Sequence, residues 1–253
     1  MDDRQDMQGG NAEFPPTPRS SGRLVFRHRL STRLWHWSNA LVFFVMLMSG
    51  LMIFNAHPRL YWGHFGANFD PAWLELARFP GWATIPSMYN LALARHWHLA
   101  FAWIFAFGFA AYLLWSLVNG HLRKDVALSR AEVAPAHLWA DIRKHARLDF
   151  HDEEARYNPL QKISYGLVLF GLIPALILSG LTMSPGMNAA WPWLVDLFGG
   201  RQSARSVHFI CAFATLGFVG VHVLLVILAG PINEMRSMIT GWFRIAPRKG
   251  EAE

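Results

Sequence analysis

Residues Arg205–Gly230 read RSVHFICAFATLGFVGVHVLLVILAG, a run of hydrocarbon interrupted by two histidines, His208 and His222, fourteen positions apart. Beyond Arg205 the run holds no Asp, Glu, Lys or Arg, and about 20 such residues suffice to cross a ~30 Å hydrocarbon core. Fourteen positions fall about 40° short of four full helical turns, so the two rings face nearly the same way, roughly 21 Å apart along the axis. An ionisable side chain is expensive inside a membrane and needs a partner, so this spacing marks a candidate functional face.

Three other segments share the charge-free character. The spans are predicted at 34–54, 97–118, 163–183 and 206–229. The chain is 53% hydrophobic, with twelve tryptophans and nineteen phenylalanines, and its mean hydropathy is +0.20; this composition points away from a soluble domain. The fold class expected is therefore all-α, a four-helix transmembrane bundle over residues 23–245. Tails at 1–22 and 246–253 flank it, the first rich enough in Asp, Gln, Gly, Pro and Ser to be expected disordered. Pro174 predicts a kink in the third span, where neighbouring helices can satisfy the freed carbonyl. The first apolar run is of full span length and lacks a small-residue cleavage site, which reads as an uncleaved anchor.

The formal charge of +6 sorts by loop. Eighteen of the 23 Lys and Arg lie before the first span, between the second and third, or after the fourth, against five in the other two loops. That asymmetry places both termini in the cytoplasm and accounts for the charge without nucleic acid. The single cysteine, Cys211, excludes a disulfide framework and a covalent c-type haem attachment, and reads as a small core residue.

With the amino terminus inside, topology pairs the histidines. His36 opens the first span at the inner surface and meets His222; His96 and His98 open the second span at the outer surface, where one of them meets His208. Two imidazole pairs stacked across a four-helix bundle suit two non-covalently bound b-type haems. Arginine stands three residues before His36, His98 and His208, as Arg33, Arg95 and Arg205. One turn toward the surface on the same face, a guanidinium is placed to bind a haem propionate. Position 93, three before His96, is leucine, which favours His98 as the ligand and leaves His96 at an interface. Gly50, fourteen residues after His36, would leave room for the outer haem's edge or serve helix packing. Zinc competes less well, since paired imidazoles without Cys, Asp or Glu leave a tetrahedral site incomplete.

The long outer loop, Asn55 to His96, is crowded with aromatics and prolines and reads as an interfacial belt or a docking surface. In the inner loop, Leu138, Ile142 and Leu148 predict a short helix lying on the membrane, and His137, His145 and His151 read as solvated surface residues. No sequence repeat long enough to imply a duplicated domain stands out.

The stretches STRLWHWSNA, SGLMIFNAHPRLYWG, RHWHLAFAW, YNPLQKISYG, LTMSPG, FGGRQSARSVHF and GPINEMRSMITGW resemble the bacterial cytochrome b561 and Ni/Fe-hydrogenase cytochrome b superfamily. That superfamily includes the formate dehydrogenase gamma subunit, and the likeness is strongest to the thiosulfate reductase cytochrome b branch. The resemblance implies haem ligation by His36, His98, His208 and His222. It also implies a bacterial inner-membrane subunit passing electrons between a peripheral catalytic subunit, of a molybdopterin or hydrogenase kind on the outer face, and the quinone pool. A quinone site is expected near the inner haem, around Asn158, Gln161 and Lys162. The rival is a self-contained oxidoreductase of the superoxide-to-quinone kind; the long aromatic loop favours a docking subunit.

Overall fold

The computed structural model describes residues 23–118, 120, 139, 143 and 159–245. Among the described residues four helices are long and apolar enough to cross a membrane: Leu30–Phe54, Leu91–Val118, Lys162–Met183 and Arg201–Ala229. The chain is thus a four-helix membrane protein. The helices begin earlier than hydropathy alone indicates, by four to six residues in the first, second and fourth spans. Hydrogen bonding continues past the apolar stretch, so Arg33, Arg95 and Arg205 stand inside helices. The loop after the first helix shortens accordingly, ending at Asn90 and not at His96.

The membrane unit, Leu34–Pro231, is built inside out relative to a soluble domain. Its most deeply buried side chains include Ser49, Ser116, Ser179, Thr182 and Ser206, while Leu41, Phe44, Phe107, Leu224 and Ile227 are exposed. Lipid solvates apolar side chains as well as a core does, so close approach of small residues and internal hydrogen bonds holds such helices together. The third and fourth helices pack most closely. Disturbance at Pro174 takes the form of a π-turn over Val168–Leu172, between α-helical Pro159–Leu167 and Ile173–Met183. A proline ring presses on the carbonyl four residues back and offers no N–H, and a wider turn just before it relieves both.

The loop joining the first two helices is a folded cap. Strands Arg59–Leu60 and Leu74–Glu75 pair antiparallel, with an Arg59–Glu75 ion pair at 2.8 Å. These strands are a small departure from the all-α expectation. Buried Asn55 brackets the backbone of Phe79, accepting from its N–H at 2.7 Å and donating to its carbonyl at 2.9 Å. The cap also closes the fourth helix. A helix N-terminus leaves N–H groups without intrahelical acceptors, and here the Gly63 carbonyl accepts from Gln202 and Ser203 at 3.0 and 3.2 Å. Gly200 makes this approach possible: its φ is +116°, and a Cβ there would lie 2.5 Å from the Gly63 backbone. Two short helices, Pro185–Ala190 and Trp193–Leu197, fill the remaining connection.

The second unit joins the chain's two ends, with residues up to Arg33 and from Ile232 onward. Strand Arg23–Phe26 pairs antiparallel with Trp242–Ile245, Phe26 opposite Trp242. Arg27 reaches Glu234 at 3.3 Å. The expected disordered tail, the 246–253 tail and the inner-loop residues Leu138, Ile142, Leu148, His137, His145 and His151 lie outside the described residues.

Candidate functional site

Four histidines form two pairs. The rings of His98 and His208 have centres 6.1 Å apart, inclined by 69°; those of His36 and His222 are 6.2 Å apart, inclined by 55°. Two imidazoles binding one metal from opposite sides through bonds of about 2 Å place their centres roughly 6 Å apart. His208 and His222 share the fourth helix, so its rise sets the pairs roughly 21 Å apart along it. His96 is exposed beside His98 in the second helix.

Each histidine of the first pair is held by a neighbouring helix. His98 Nδ1 lies 3.1 Å from the Met46 carbonyl and 3.1 Å from Ser49 Oγ. His208 Nδ1 lies 3.0 Å from the Leu176 carbonyl and 3.1 Å from Ser179 Oγ. A carbonyl can only accept, so Nδ1 carries a proton in both rings, and in the neutral ring Nε2 is then the nitrogen with the lone pair. The glycine after each serine clears space for the ring. A Cβ on Gly50 would sit 3.3 Å from His98 Cε1, and one on Gly180 would sit 3.3 Å from His208 Cε1. Gly50 therefore seats an imidazole of the second helix, as close helix packing requires. These features suit haem ligation, in which Nε2 would meet the iron and the second nitrogen is fixed by outer acceptors.

The second pair is bordered by aromatics. Trp37 meets His36 edge-on with ring centres 5.1 Å apart, and Phe218 stacks on His222 at 6.5 Å. Among the described residues no group of three or more His, Cys, Asp or Glu gathers, so a tetrahedral zinc site has no donor set there.

The three arginines differ. Arg205 directs NH1 to the Arg59 carbonyl at 3.1 Å and NH2 to the His57 carbonyl at 2.5 Å, with its guanidinium 5.7 Å over Phe54. Five N–H donors leave it capacity for a carboxylate besides. Arg95 is exposed, and Arg33 donates to the Ile239 carbonyl. Of the residues expected to meet quinone, Lys162 is half-buried at the start of the third span; Asn158 and the Gln161 side chain lie outside what the structure describes.

Sequence reasoning missed Ser49, Ser179 and Gly180. The signal was present: S-G occurs in the first and third helices, and R-x-x-H follows in the second and fourth, as Arg95–His98 and Arg205–His208.

A four-helix membrane bundle carrying two pairs of intramembrane histidines defines a membrane cytochrome of b type. The family described as prokaryotic cytochrome b561 matches residues 27–241, and the chain belongs to it. It is similar to a putative protein-methionine-sulfoxide reductase subunit, YedZ1, of Azospira oryzae, 32% identical over 78% of this chain and 87% of the relative. It is similar also to the putative cytochrome YdhU of Escherichia coli, 29% identical over 88% of this chain and 76% of the relative. A probable Ni/Fe-hydrogenase B-type cytochrome subunit of Azotobacter vinelandii is 24% identical over 86% of this chain and 88% of the relative. No solved structure matches significantly. The protein is accordingly a multi-pass bacterial membrane cytochrome that carries haem b and transfers electrons.

Proposed function

We propose that the chain binds two haems b, one between His98 and His208 and one between His36 and His222. In this reading it conducts electrons across the bacterial inner membrane between a periplasmic catalytic subunit and the quinone pool. The observation that carries this is the recurrence of one geometry, ring centres at 6.1 and 6.2 Å, in both pairs. When bound, haem b supplies one-electron iron chemistry, whose potential the protein tunes through ligands, hydrogen bonds and burial.

The chain's own residues then have distinct tasks. His98 and His208 present Nε2 because their Nδ1 protons are committed to carbonyls. Arg205 ties the cap to the fourth helix one turn from His208 and has N–H groups left for a propionate. Arg95, by its spacing, serves the same haem, and Arg33 the other. The distribution of Lys and Arg supports both termini being cytoplasmic. The His98–His208 pair and the cap then face the periplasm, and Asn158, Gln161 and Lys162 lie on the cytoplasmic side, where quinone would exchange electrons. Two relatives described as subunits, of a methionine sulfoxide reductase and of a hydrogenase, support a catalytic partner; a molybdopterin enzyme is the class we favour.

The test is pyridine haemochrome quantitation with a reduced-minus-oxidised spectrum on the purified chain. Two b haems per chain are expected, and one or none overturns the dihaem assignment. Turnover of superoxide with quinone by the chain alone would replace the subunit reading with a self-contained oxidoreductase.

A further inference from the structure

We infer that Ser49 and Ser179 are a matched pair of positioning residues that lower the redox potential of the haem held by His98 and His208, each acting through its own histidine. This rests on the axial role proposed for those two histidines.

Both serines are fully buried in membrane helices. Each hydroxyl already spends its proton within its helix: Ser49 Oγ donates to the Val45 carbonyl at 2.7 Å, and Ser179 Oγ to the Ala175 carbonyl at 2.5 Å. Toward the imidazole each oxygen therefore offers only lone pairs. The Nδ1–H of His98 is shared between Ser49 Oγ and the Met46 carbonyl, and that of His208 between Ser179 Oγ and the Leu176 carbonyl. Two acceptors on one N–H draw electron density onto the ring and raise the basicity of Nε2. A more basic axial nitrogen favours the oxidised, more positive iron.

The arrangement is duplicated atom for atom. In both helices the accepting carbonyl lies three residues before the serine, and a glycine follows it. In both, the glycine's Cβ position is 3.3 Å from the imidazole Cε1. The two hydroxyl contacts are 3.1 Å each. Forty-nine residues separate serine from histidine in one half and twenty-nine in the other, so connections of different length deliver one geometry. Equal geometry on opposite sides of one iron implies equal contributions.

Potentiometric titration of the full-length protein in detergent, with the two haems followed spectrally, tests this. Ser49→Ala and Ser179→Ala should each keep both haems. Each should raise the midpoint of the same haem by a similar amount, about two- to tenfold in the oxidised-to-reduced ratio, tenfold being about 59 mV for one electron. The double variant should show roughly the summed shift, the second haem should not move, and Ser→Thr, which keeps an acceptor oxygen, should restore the original value. Unmoved midpoints, shifts on different haems, or haem loss unrelieved by threonine would each overturn the tuning role. His98→Ala separates the two levels: if it retains both haems, the axial reading itself fails, whatever the serines do.

Discussion

The two histidine pairs share a ring separation and differ in the neighbours set against them. At the His98–His208 pair, each imidazole is gripped by a serine and a carbonyl from an adjacent helix, and a folded loop locks the end of the helix bearing His208. At the His36–His222 pair, the rings are bordered by Trp37 and Phe218. The first is a socket specified by directional bonds, and at the second an aromatic ring lies against each imidazole. A directional socket fixes the tautomer and the ring plane, and aromatic packing limits where a ring can lie.

The comparison breaks most directly at the histidines. His98→Ala and His208→Ala should each remove one haem of two, and the same one, while His36→Ala and His222→Ala remove the other; quantitation beside low-temperature spectra reads this, and loss of both haems from every variant would erase the distinction. Next in size is Gly200→Ala. With φ at +116° and the Gly63 backbone 2.5 Å from the new methyl, we expect about 3 kcal/mol or more of local destabilisation. Limited proteolysis should then open the loop and lower occupancy at the His98–His208 pair alone.

Trp73→Phe is milder. Trp73 Nε1 donates to Ser206 Oγ at 2.9 Å, and Ser206 Oγ donates in turn to the Tyr61 carbonyl at 2.6 Å. Loss of the indole donor should cost about 1 kcal/mol, measured as a small drop in melting temperature with both haems retained. The smallest effect concerns pH. Burial, with Arg205 and Arg59 nearby, holds the His57 imidazole below its ordinary value of 6.5, so the folded cap binds fewer protons than the unfolded one. Its stability should be full above about pH 6.5 and decline as pH falls through the lowered value. His57→Gln should flatten that slope in proteolysis rates measured between pH 7 and 5, leaving the His36–His222 haem indifferent throughout.

How much of this was legible follows from what each feature needs. Four charge-free runs and the fourteen-residue interval between His208 and His222 are properties of a single segment, and they led to the bundle and the paired rings. The serine sockets were hidden because a buried serine in an apolar helix reads as ordinary packing until another helix brings a histidine to it. The third helix holds no histidine, yet Ser179 and Gly180 shape the site. Arg205 was read for a propionate, and its grip on His57 and Arg59 depends on a loop whose fold local sequence does not announce. Gly200 matters only because Gly63 lies against it.

The π-turn at Val168–Leu172 has one more consequence, in the phase of the third helix. A π-turn holds one residue more than an α-turn, which shifts everything before it by about 100° relative to everything after it. Aligning the halves at Ser49 and Ser179, a straight helix would put Gly166 in the place of His36; with the extra residue counted, that place falls to Tyr165. The second and fourth helices carry no such insertion, and aligning His98 with His208 puts Tyr112 in the place of His222. Both vacant mates of the second pair are thus tyrosines, one packed on Trp35 and the other on Phe218. A single inserted residue lets the third helix match the first at the sockets and offsets the two by one position at the other end.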